Sequence, residues 1–343
     1  MEIYNQTPFS PLIFNTDAIG DLSFYTAVVR GTFTITSHKK IQLAQTQEPL
    51  ALNDRFLNDP HTSSLIEETD LVPYKPRADI YLNAEAHAPN GNPLTNWLVR
   101  ARIGQLTKTL RVCGQRYWRR NILGWYLDKP APCIKVPLHY ELAYGGTVTF
   151  GETSEAYEYN PVGLGYVTCS SSGRLKTGTL KSLPAPQIEA PNEPIVNLKR
   201  RYTPQGFGPI NRAWLPRRTL AGSFDQAWLD RRSPRLPVDF NFLHYNSAHP
   251  DLIYNGFMQG DEPVILEGFD PHKIINFSLP GYKIKVAVSD VFGPIEEQCC
   301  QLDTVRIDVP ARRVHLTWRA MINTRTQLDK MVVWTFKELK HAS

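Results

Sequence analysis

Four groups of residues in this chain have types and spacings that could do chemistry. His244, His249 and Asp251, with His272 further on, offer metal-ligand side chains, but groups five apart in a loop containing Pro250 need not converge, and no metal is expected. Asp261 and Glu262 could serve as an acid and base, and with His244 they are where a hydrolase-like enzyme would have to act. The same Gly-Asp-Glu-Pro run also reads as a plain turn entering a strand at 264–266. The glycines of 143–146 and 160–166 could bring backbone close to a phosphate, although without a following helix they suit tight turns. Arg212, Trp214, Arg217 and Arg218 interleave cations with an aromatic ring, which can stack bases or anchor a protein interface, since both use Arg and Trp; alternatively Trp214 and Trp228 are core anchors with solvated arginines beside them.

No phosphate-binding loop, dinucleotide turn, zinc-protease helix or nucleophile elbow occurs. The expectation is a protein without catalytic residues or cofactor that binds a partner. A catalytic set assembled from distant residues leaves no mark in a sequence, because such sets are defined by geometry rather than order.

The elements that must hold these residues are mostly strands. Residues 25–35 alternate Tyr25, Ala27, Val29, Gly31, Phe33 and Ile35 with Thr26, Val28, Arg30, Thr32 and Thr34, the period of two of a half-buried strand. Val99, Ala101 and Ile103, a turn at 104–108, then Leu110 and Val112 read as a hairpin whose outward face carries Arg100, Arg102, Thr109 and Arg111. A strand follows at 282–288, and a second hairpin at 305–318 turns at 310–313. Helical signal is thin: a short helix near 64–69, and another at 225–231 with Ser223 as its N-cap.

The 343 residues include 27 Pro and 21 Gly, which favours many turns over long helices. The fold class expected is mainly β, with antiparallel sheets in a sandwich or barrel, long Pro/Gly-rich loops and few short helices. Residues 1–170 and 195–343 read as two β-rich parts joined by a linker-like excursion at 171–194, or as one intertwined domain. Five cysteines, two of them adjacent, suit buried thiols in a reducing compartment. The start lacks a basic segment followed by an apolar one, and no run is long enough to span a membrane, so a cytoplasmic protein with no membrane partner is expected.

The net charge of +5 is unevenly spread: 86–127 carries +7 with no Asp or Glu, 199–235 carries +7, and the remainder carries −9. Such patches either steer an acidic partner or nucleic acid, or are neutralised by the acidic remainder. Between protein and nucleic acid, the interleaved aromatics favour protein. The candidate contact residues are Arg212, Trp214, Arg217, Arg218, Arg100, Arg102 and Arg111.

Five blocks, at 72–91, 110–118, 136–166, 206–252 and 260–281, run in order along the chain. Through them the sequence resembles a family of type VI secretion accessory proteins that carry a domain of uncharacterised function. It departs from that pattern at Asn83, Gln115 and Tyr144, where glycine, an acid and phenylalanine are usual. The resemblance implies a bacterial cytoplasmic adaptor or chaperone that binds a toxic effector and promotes its loading onto the VgrG spike, without turning over a substrate.

Overall fold

The alternation at 25–35 is realised as the strand Leu22–Ile35, next to one edge of a nine-stranded sheet. The structure, a computed structural model, describes residues 1–19, 22–36, 40–169, 175, 180–324 and 326–336. The chain is mainly β, with antiparallel sheets, one of them curled into a half-barrel, and a single α-helix among the described residues. The main sheet runs Glu2–Asn5, Lys330–Phe336, Lys283–Asp290, Gly293–Asp308, Arg313–Ile322, Leu22–Ile35, Ser10–Ile19; Ile41–Leu43 and Asp79–Asn83 branch from it. Strands from both ends of the sequence therefore share one sheet. Two pairings are parallel: Glu2–Asn5 with Lys330–Phe336, and Asp79–Asn83 with Gly293–Asp308. No helix among the described residues is long and apolar enough to cross a membrane.

The apolar face of Leu22–Ile35 packs Ala27, Val29 and Phe33 against Val314, Leu316 and Trp318, and Phe9 stacks on Trp318 with ring centroids 5.5 Å apart. The opposite face is buried too, which a half-buried strand would not be. Acidic residues from the 47–75 segment lie over it. Arg30 reaches Glu67 at 2.7 Å and Asp70 at 2.9 Å, Arg306 reaches Glu67 at 3.3 Å, and Arg319 reaches Asp303 at 2.6 Å. The Thr26 hydroxyl donates to the Pro73 carbonyl, and the Thr32 hydroxyl accepts from the Glu48 amide. Polar strand positions that ordinarily face water thus meet a polar loop instead, since buried charges persist only when paired and hydrogen-bonded. Within that segment the helix expected at 64–69 is a strand, Leu65–Glu67, paired with Arg55–Phe56.

A five-stranded sheet is built on the expected hairpin, Asn96–Ile103 with Leu106–Cys113, flanked by Pro263–Glu267 and Ile188–Glu189. Its turn is tighter than the five residues read from the sequence, because Gly104 adopts φ +56° and lets the chain reverse at Gly104 and Gln105. Lys108 therefore falls within the strand, on the same buried face as Leu110 and Val112. A three-stranded sheet, Gly124–Leu127, Arg116–Asn121, Ser182–Ala185, closes over a second cluster containing Trp118, Tyr144 and Tyr202. The Tyr144 hydroxyl, absent from a phenylalanine, donates to the Arg200 carbonyl at 3.2 Å. The stretch read as a linker lies partly outside the described residues; from residue 180 on it contributes Ser182–Ala185 and Ile188–Glu189 to these sheets.

Candidate binding surface

The histidines do not gather. His249 and Asp251 meet Lys108: its ammonium lies 2.9 Å from the Asp251 carboxylate, 3.1 Å from the Gln205 amide oxygen and 3.0 Å from His249 Nδ1. His244 instead lies 3.1 Å from the Arg217 carbonyl, and His272 lines a separate cleft of about 680 Å³ with Glu85, His87 and Asp270. Among the described residues no three metal-ligand side chains come together.

His249 and Asp251 line a cleft of about 670 Å³ with Tyr140, Tyr159, Gln205 and Pro216. Burial lowers the Lys108 ammonium below the usual lysine range, with Asp251 opposing the shift. Burial, then the Lys108 charge, pushes His249 down to about 4, so its ring is neutral near pH 7. Burial would raise the Asp251 carboxyl, but its bond to Lys108 brings it below the ordinary value. Asp251, Gln205 and His249 thus surround the Lys108 nitrogen within hydrogen-bond distance. The cluster works as a clamp joining the 249–251 turn to the Leu106–Cys113 strand. Glu262 is likewise a turn fastener, its carboxylate accepting from the amides of Gln259 at 2.6 Å and Gly260 at 2.8 Å. Neither Glu262 nor His244 lines the cleft.

Most bases of the first basic stretch, and Arg200, Arg212, Arg217 and Arg218 of the second, pair with carboxylates within the chain. On the hairpin, Arg100 and Arg102 meet Glu267 at 3.5 and 2.6 Å, and Arg111 lies 3.7 Å from Glu189. Arg212 bonds Asp54 and Glu68, and Arg218 bonds Glu158 at 2.6 Å. Arg217 is buried: it pairs with Glu68 and donates to the carbonyls of Ile210 and His244. Trp214 is buried as well, edge-on to Tyr140 with centroids 5.8 Å apart. The reading of Arg217 and Trp214 as outward contacts is thereby corrected, because both side chains are consumed by the interior. Arg212, Arg218 and Arg102 are exposed with internal partners, and Arg100 and Arg111 are half-buried.

Much of the 206–252 block is internal wiring. Asp79, fully buried, accepts from the Asn246 side chain at 2.9 Å and the Ser247 amide at 2.9 Å while paired with Lys75. The part that projects is 223–239. Its helix, Gln226–Arg231, is capped by Asp225, whose carboxylate accepts from the Trp228 amide; Ser223, expected as the cap, instead bonds Asp239 through its amide and hydroxyl. Trp228 ties the arm to itself, its indole N–H donating to the Arg235 carbonyl at 2.7 Å and its ring meeting Phe224 edge-on. Gly222 at the base has φ +78°, and a Cβ there would sit 2.8 Å from Asp239 Oδ1. The arm so braced leaves Phe224 56%, Leu229 55% and Val238 85% exposed. Sequence reasoning missed these three apolar side chains because it weighed the arginines. The signal was there: Phe224 and Leu229 flank Trp228 in a segment too short to bury all three.

No curated protein and no solved structure matches this chain. The profile of a family described as an uncharacterised protein conserved in bacteria, DUF2169, matches residues 22–319, which take in the Lys108 clamp, the arm and much of the main sheet, but not its strands Glu2–Asn5, Ser10–Ile19 and Lys330–Phe336. The chain belongs to that family.

Proposed function

We propose that this chain is a non-enzymatic adaptor of type VI secretion, which holds a toxic effector in the bacterial cytoplasm and promotes its loading onto the VgrG spike. The observation that carries the binding part of this reading is the arm at 223–239. It presents Phe224, Leu229 and Val238 to solvent from a segment braced by its own hydrogen bonds, and large exposed apolar side chains held on an ordered segment favour association with another protein. In this reading Lys108, held by Asp251, Gln205 and His249, is a structural clamp. The assignment of the partners as effector and spike rests on the resemblance of the five sequence blocks.

Co-purification tests the proposal. The tagged full-length chain is expressed with the toxin and spike proteins encoded beside it and recovered at low and moderate salt. Retention of the toxin, lost on Phe224→Ser/Leu229→Ser, is the expected result. Failure to retain either protein at both salt concentrations removes the adaptor reading.

A further inference from the structure

Six of the seven bases in 86–127 pair with a carboxylate inside the chain: Arg100, Arg102, Lys108, Arg111, Arg116 and Arg119. Arg120 is the exception among the described residues. It is exposed, and it stands two residues before the tip of the hairpin formed by Arg116–Asn121 and Gly124–Leu127. That tip consists of Ile122 and Leu123, whose side chains are 101% and 92% exposed.

The tip is a built feature. Two-residue hairpin connections favour Asn and Gly, whose backbone or side chains suit the reversal. Here Asn121 and Gly124 take those tasks at the flanks: the Asn121 carboxamide oxygen accepts from the Leu123 amide at 2.9 Å, and Gly124 absorbs the positive φ at +124°. The two central positions are thereby free to carry any side chain, and both carry large apolar ones. The hairpin behind them is anchored by Trp118, buried in the second core cluster with Trp125 and Leu127 packed against it. Lys181, exposed on the neighbouring segment, contacts the backbone of Arg120 through its carbonyl and adds a second cation that pairs with no carboxylate among the described residues.

A second hairpin uses the same construction. At 290–293, the Asp290 carboxylate accepts from the Phe292 and Gly293 amides, Gly293 has φ +140°, and Val291 and Phe292 are 76% and 91% exposed. Glu296, exposed, lies further along its second strand, and Ser289 stands where the first hairpin carries Arg120.

We infer that the Ile122–Leu123 hairpin tip is a docking element for a separate protein whose surface offers an apolar groove edged by carboxylates. A groove encloses both side chains on all sides, and Arg120 and Lys181 meet its acidic rim, which is how anchor residues and steering charges divide the work of an interface. A lipid surface fits less well. Two cations and a two-residue wedge are far short of the polybasic cluster or long amphipathic face that holds a protein on a bilayer.

The test places the photo-crosslinking residue benzoylphenylalanine at position 123 or at position 292 of the full chain in its native bacterium. The protein crosslinked through position 123 is identified, purified and titrated against wild type, Ile122→Ser/Leu123→Ser, Arg120→Glu and Val291→Ser/Phe292→Ser, all with unfolding midpoints checked against wild type. The expected result is a partner distinct from that at position 292, whose affinity falls at least about tenfold in the first two variants and is unchanged in the third, as for central anchors against remote positions. In Arg120→Glu the salt dependence should also shrink. The inference is overturned by no crosslink at 123, by a crosslink to a second copy of this chain, by equal affinity in Ile122→Ser/Leu123→Ser, or by phosphatidylglycerol vesicles that retain wild type but not that variant.

Discussion

Arg217 and Glu68, 149 residues apart in sequence, meet at 2.6 Å with side chains only 5% and 3% exposed. The pair joins the 206–252 block to the acidic loop that covers the half-barrel. A base that looks like a surface contact in the sequence is thus a structural tie.

Arg217 and Arg218 should therefore separate cleanly when substituted. Arg217→Ala leaves Glu68 buried without its closest partner and should cost about 3–5 kcal/mol of stability. Arg218→Ala breaks an exposed pair with Glu158 and should cost less than about 1 kcal/mol. Urea unfolding of the two variants decides the matter, and equal losses would refute the distinction.

Arg30 holds two acids at once, Glu67 and Asp70, beneath the 47–75 loop. Arg30→Met should destabilise by about 3–5 kcal/mol, because it leaves Asp70 buried without its ion-pair partner, while Glu67 keeps Arg55 and Arg306. The loss should be partly recovered when Asp70 is replaced by Asn in the same chain, a coupling that a double-mutant cycle measures. Strict additivity of the two changes would contradict the network.

Acid should weaken the fold through two neutral histidines. Burial, then the charges of Arg30 and Arg306, pushes His315 down to about 2, and burial with Lys108 pushes His249 down to about 4, both from 6.5. Each is depressed in the folded state, so the unfolded chain takes up protons first. The stability they contribute is complete above pH 6.5 and is lost as pH falls. Each adds about 1.4 kcal/mol per pH unit to that loss, both between pH 6.5 and 4 and His315 alone below 4. The difference in unfolding free energy between wild type and His315→Gln, followed from pH 7 to 4, should change by about one proton's slope; a constant difference would exclude this linkage.

Much of the strand framework was legible in the sequence, because side-chain alternation survives even where the polar face is covered. Thr26, Arg30 and Thr32 alternate as if toward water, yet they face the 47–75 loop. Nothing local distinguishes a solvent from an acidic loop, so burial of that face was not legible. The helix read at 64–69 failed for a related reason: Leu65 and Glu67 are both buried, one by apolar packing and one by arginines, so the true period of two was disguised by chemistry. Lys108 was hidden by one short turn, since a reversal at Gly104 and Gln105 rather than over five residues moves it onto a strand face. The exposure of Phe224, Leu229 and Val238 was not legible, because it depends on how the Ser223–Asp239 contact closes the arm on itself.

Internal neutralisation of the arginines also bears on nucleic acid. Arg100, Arg102, Arg212 and Arg218 each have a carboxylate within the chain. Retardation of single- or double-stranded DNA should be weak at low salt and show little dependence on salt concentration. A steep log-linear loss of affinity, the mark of counterion release, would show that these bases reach phosphates.

The central claim is that the chain binds a protein partner through the braced apolar arm. It is tested most directly by calorimetric titration of the purified toxin and spike proteins into wild type and Phe224→Ser/Leu229→Ser. Because the substituted side chains are exposed, stability should stay within about 0.5 kcal/mol for each. Wild type should bind the toxin, and the double variant should lose at least about tenfold in affinity, as expected for central anchor residues. Unchanged affinity in the double variant, or no binding by wild type, would contradict it.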